Sequence, residues 1–146
     1  MGITLGALSL FELMAMKDLP NGDAKRTVDA EHVTVAIGSW QHRYDGTSAL
    51  FLLWTIYEAA LVTLMEGTNY SFFCLDDPDG GRVYPSTTGR LLIELRDGSK
   101  HDVSGIEVLR ASFEAIAQIL EFLADAGYPE ATPAMLSDLM RPRAKL

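Results

Sequence analysis

The sequence predicts an α+β fold, with an antiparallel sheet of about four or five strands packed against two long helices and short helices at the termini. Three observations carry this. Turn signals recur at short intervals between residues 69 and 103. An apolar run from Ala49 to Met65 is long enough for a buried helix. Residues 104 to 127 place polar and apolar side chains at helical spacing. The length of 146 residues suits a single domain, expected over 1–146, and 48% hydrophobic against 22% charged residues is ordinary globular composition.

At the N-terminus, Ser9 precedes Glu12 by three residues and Leu13, Met14 and Met16 follow, a capping-box pattern that opens a short helix ending before Pro20 and the Asn21-Gly22 turn. Between residues 31 and 40, Val33, Val35 and Ile37 alternate, which predicts a strand with one buried face; a helix from about Ala24 is the competing reading. Trp40 to Asp45 mixes aromatic and polar groups and reads as a loop, and Asp45-Gly46-Thr47-Ser48 supplies turn and N-cap chemistry for a helix over about 48–66. Glu58 is the one charged residue from Ala49 to Met65. A bilayer span would place it near the middle, with no basic anchor close behind, so the segment is expected to be a core helix.

Asp77-Pro-Asp-Gly-Gly, Pro85-Ser-Thr-Thr-Gly and Arg96-Asp-Gly-Ser separate four apolar runs, predicting an antiparallel meander of Tyr70 to Leu75, Arg82 to Tyr84, Arg90 to Leu95 and Lys100 to Val103, with Asp97-Gly98 as a tight hairpin turn. Ser104-Gly-Ile-Glu107 then resembles a capping box, and Gly127 followed by Pro129 marks a helix end. Along that helix Glu107, Arg110, Glu114, Gln118, Glu121 and Asp125 line one face, and Leu109, Phe113, Ile116, Leu120 and Leu123 the other. Thr132-Pro133 opens a final short helix to about Leu139, and Arg141, Arg143 and Lys145 complement its C-terminal end.

Strong catalytic signatures are missing. His32, His42 and His101 stand far apart and Cys74 is the single cysteine, so neither a zinc site nor any other metal or cofactor is expected. Asp76, Asp77 and Asp79 precede Gly80 as in a calcium loop, but alignment on that glycine puts Leu75 first and Ser86 last, which fails at both ends. Cys74, between Phe73 and Leu75, reads as a buried thiol. His101 and Asp102 are adjacent on a strand and point to opposite faces. No nucleophile elbow, phosphate loop or dinucleotide fingerprint occurs.

Charge is the remaining signal. Twenty acidic against twelve basic residues give a net −8, which disfavours nucleic acid and anionic membrane and favours a basic protein as partner. Glu107, Glu114, Glu121 and Asp125 face Arg110 alone on one helix, a candidate docking surface for a cationic partner. Asp76, Asp77 and Asp79, with Trp40 and Tyr44 as contact aromatics, complete the candidate partner-binding set. The lone cysteine and the lack of a basic leader point to the cytoplasm.

The sequence therefore suggests a non-catalytic acidic module that sequesters or neutralises a basic partner, in the manner of an immunity protein or inhibitor. Two alternatives stand beside it. One is a small enzyme whose site forms only in the fold, with Cys74, His101 and Asp102 as candidates. The other is an assembly subunit whose apolar 49–65 helix packs on a second copy. Oligomeric state is left open.

Overall fold

Val33, Val35 and Ile37 form a strand, longer than the alternation alone marks. The computed structural model describes residues 2–10, 28–72 and 80–125. Within it β3 runs over Val28–Ile37, turns at Gly38-Ser39 and returns as β4, Trp40–Ser48, paired from Ile37↔Trp40 to Asp29↔Ser48. Gly38 has φ 57°, a left-handed conformation that glycine adopts without steric cost in a two-residue hairpin turn. The loop expected at residues 40–45 and the turn expected at 45–48 are thus strand. Trp40, His42 and Tyr44 alternate with the exposed Gln41, Arg43 and Asp45, and cross-strand pairing overrides their polar composition.

The other edge of β3 takes β1, Gly2–Leu5, and β2, Leu8–Leu10. Both follow one register. It continues through Gly6 and Ala7, where Gly6 N donates to His32 O at 2.8 Å and Glu31 N donates to Ala7 O at 2.9 Å. Ser9 is therefore a strand residue and not a helix cap, because pairing with β3 satisfies its backbone. The expected first helix beyond it and the expected C-terminal helix from Thr132 lie outside the described residues.

The meander forms a second antiparallel sheet, in order β5 (Tyr70–Phe72), β6 (Gly81–Pro85), β7 (Arg90–Leu95) and β8 (Lys100–Ser104). The fold is α+β, but with two antiparallel sheets where one is expected from sequence. At the β7–β8 connection Gly98 N donates to Leu95 O and Leu95 N to Ser99 O, both at 2.9 Å, which makes a three-residue loop of Arg96, Asp97 and Gly98.

Between the sheets lies α1, Ala49–Glu66, in contact with β3, β5, β6 and the second helix. It is apolar on nearly all sides because protein surrounds it. It is long and apolar enough to cross a membrane by length and composition, and 67% of that stretch is buried inside this chain. Trp40 of β4 meets Phe72 of β5 with ring centroids 5.6 Å apart, joining the two sheets within one core. The second helix, α2, spans Gly105–Asp125, and Ser104 Oγ accepts from Glu107 N at 3.4 Å in the capping position that the sequence predicts.

Candidate functional site

The outward face of α2 is set by which side of the helix the core requires. Val108, Ser112, Ala115, Ile116, Ile119, Leu120 and Leu123 are buried. Directly opposite, Glu107, Glu114 and Glu121 recur every seven residues with Asp125 beside them, and all four are exposed. Seven residues fall about 20° short of two turns, so these carboxylates form a nearly straight row. Among the described residues the ion pairs are Arg43–Asp45 and Arg90–Asp102, neither of them on α2. On α2 Arg110 is the one cation beside the row, which therefore stays net negative.

An apolar strip runs beside it. Ile106 is 59% exposed and Phe113 is 40% exposed, also seven residues apart. The sequence reading places Phe113 on the core face, and this is corrected. The buried side is rotated toward the small residues Ser112 and Ala115, which leaves Phe113 at the boundary with solvent.

On the flank of the row, a groove of about 150 Å³ separates the start of α2 from the first sheet. Its floor is Gly2, Ala36, Ile37, Gly38 and Ala111, and Glu107, Arg110 and Glu114 form its polar wall. Two of the four sequence-predicted carboxylates on α2 therefore border a concavity. Gly2, Ala36 and Gly38 carry no chemistry that sequence reading could detect. Ile106 and Phe113 did leave a signal in their seven-residue spacing.

Other candidates separate from this surface. Trp40 is 0% and Tyr44 is 2% exposed, so both are core residues and not contact aromatics. Asp76, Asp77, Asp79 and Cys74 lie outside the described residues. Asp102 accepts from Ser86 Oγ at 2.6 Å and from Arg90 Nε at 2.5 Å, and chiefly the Ser86 hydroxyl, then Arg90, holds its carboxyl below the ordinary value.

His101 points the other way, as strand alternation requires. Its Nδ1 lies 3.0 Å from Ser39 Oγ and its Nε2 lies 3.1 Å from Ser99 Oγ, which donates to Asp97 Oδ1 at 2.6 Å. The Ser99 hydroxyl, followed by its amide, lowers the Asp97 carboxyl, with smaller contributions from His42 and His101. This polar chain ties the β3–β4 turn to the edge of the second sheet. Ser39 and His101 are 62 residues apart, so no sequence motif announces the pair. Among the described residues no three His, Cys, Asp or Glu side chains converge as a metal-binding group.

Comparison with known protein families, characterised proteins and solved structures finds no match to this chain.

Proposed function

We propose that the chain is a non-catalytic acidic module that holds a basic protein partner on the outward face of α2, acting by sequestration as an inhibitor or immunity protein does. One observation carries the reading: four exposed carboxylates without ion pairs among the described residues share a helix face with the exposed Ile106 and Phe113. Charge steers encounter, and an adjacent exposed aromatic supplies the apolar contact that interface centres favour. The net charge of −8 adds long-range attraction for a cationic protein and lowers affinity for phosphate backbones.

Affinity capture from host lysate with the wild-type chain, matched against a Glu114→Lys/Glu121→Lys variant, tests the reading. A basic protein should be enriched by the wild type alone, and its association rate should fall steeply with salt. Recovery of the same proteins by both baits would overturn it.

The polar chain from Ser39 through His101 and Ser99 to Asp97 favours a second reading as a small enzyme, since a serine next to an oriented imidazole is the arrangement that nucleophilic catalysis uses. Labelling of Ser39 by a fluorophosphonate, abolished in Ser39→Ala, would support it. The assembly-subunit reading draws less support, because the apolar side chains of α1 are largely buried within the chain itself.

A further inference from the structure

We propose that the groove beside α2 is a specificity pocket for one long cationic side chain of the partner, preferably arginine, and that Ile106 and Phe113 receive an apolar neighbour of that side chain. The inference rests on the α2 face being the partner-binding surface and adds what the partner must present there.

The groove's size, floor and charge each point to such a guest. Its volume of about 150 Å³ is that of roughly five waters at about 30 Å³ each, room for a guanidinium and its last methylenes. Of the floor residues Gly2, Ala36, Ile37, Gly38 and Ala111, the buried Ile37 alone has a side chain beyond Cβ, so an extended chain can lie along it. Glu107 and Glu114 set against Arg110 leave the wall with one net negative charge, which a single cation neutralises. A guanidinium suits this better than an ammonium, because it is weakly hydrated and its planar fork matches a carboxylate.

The apolar strip fixes the rest of the partner's contact. Ile106 precedes Glu107 and Phe113 precedes Glu114, each about 100° around the helix from its neighbour, so the apolar strip lies across the carboxylate row from the groove. The repeat is seven residues, about 10 Å along the axis. A partner segment that seats a cationic side chain in the groove and crosses the row brings its neighbours over Ile106 and Phe113. A free small cation would use neither feature, which is why the occupant is a protein segment with arginine next to aliphatic residues.

Fluorescence anisotropy with two labelled peptides of equal length and charge tests this in the full chain at low salt. One peptide interleaves arginine with leucine, and the other interleaves lysine with glycine. The arginine–leucine peptide should bind more tightly by about tenfold or more. Ala36→Leu, which fills the groove without changing charge, should reduce that peptide to the level of the lysine–glycine control. Glu114→Gln should weaken its binding, whereas Arg110→Gln should strengthen it by removing the opposing charge. Unchanged thermal midpoints and circular dichroism identify the variants that remain folded. Should Ala36→Leu fail to fold, the opposite signs expected of Glu114→Gln and Arg110→Gln still decide. Equal affinity for the two peptides, or weakening by Arg110→Gln, overturns the pocket and leaves the acidic-face reading standing. Failure of both peptides to bind overturns both.

Discussion

A methyl group on Gly81 would lie 2.5 and 2.8 Å from Cζ and Cε1 of Phe72 and 2.9 Å from the Glu94 carbonyl. Phe72 has little room to yield, being buried against Trp40. Gly81→Ala should therefore cost about 1–3 kcal/mol as overpacking, read as a lower urea midpoint at unchanged slope. A variant as stable as the parent would mean that the Phe72 ring can be displaced cheaply. Asp102 gives a residue-scale prediction in pH. The Ser86 hydroxyl and then Arg90 hold its folded-state carboxyl below the ordinary 3.8. The stabilisation is complete above that value, where the unfolded carboxyl is ionised, and disappears as pH falls through the lower folded value. Asp102→Asn should therefore melt below wild type near pH 6, with the gap closing as pH falls below the ordinary 3.8 and through the lower folded value. A gap that persists in acid would assign the effect to packing. Its size should be modest, because both partners are solvent-exposed.

At the scale of elements, α2 is legible because its cap and its period are local, while the stop expected at Gly127 and Pro129 lies outside the described residues. Its rotation is not, since a count of apolar residues puts Phe113 inward, whereas packing on α1 selects the side carrying Ser112 and Ala115, whose small side chains permit close approach of the helices. The meander is legible for the same local reason: the connections on either side of β7 are each closed by their own turn. The first sheet is legible only at Val33, Val35 and Ile37, because its edge pairs residues 2–10 with 28–37, and the alternation of Trp40, His42 and Tyr44 is masked by polar neighbours. The same division applies to the candidate site. Helical spacing reveals the carboxylate row, whereas the groove depends on Gly2, Ala36 and Gly38 arriving beside α2 from another sheet. Contact between α1 and β5 includes a buried polar link, in which Tyr70 Oη donates to Glu58 Oε1 at 2.9 Å. Tyr70→Phe should lower stability by about 1–2 kcal/mol, because an acceptor on a buried side chain loses a donor. Equilibrium urea unfolding checks this, and no loss would show that other partners of Glu58 suffice.

At the scale of the whole molecule, the question is whether two sheets built from separate stretches of chain unfold together. Each packs on α1, Trp40 of the first meets Phe72 of the second, and the turn of the first hairpin reaches His101 through Ser39. Neither sheet can separate from α1 without exposing its apolar face, since Leu50, Leu52, Leu53 and Ile56 belong to one cluster with Val33, Val35, Leu91 and Ile93. A single cooperative transition follows, with far-ultraviolet dichroism and tryptophan fluorescence superimposing, because Trp40 and Trp54 report on the shared core while dichroism reports on both sheets and both helices. Ile56→Ala, at a fully buried position in α1, should move both signals together by about 2–5 kcal/mol. Fluorescence that changes well before dichroism would instead mean that the sheet containing Trp40 opens alone. The Gly2, Ala36 and Gly38 floor of the groove would then come from a unit that separates from α2, and partner affinity would weaken in step with that opening.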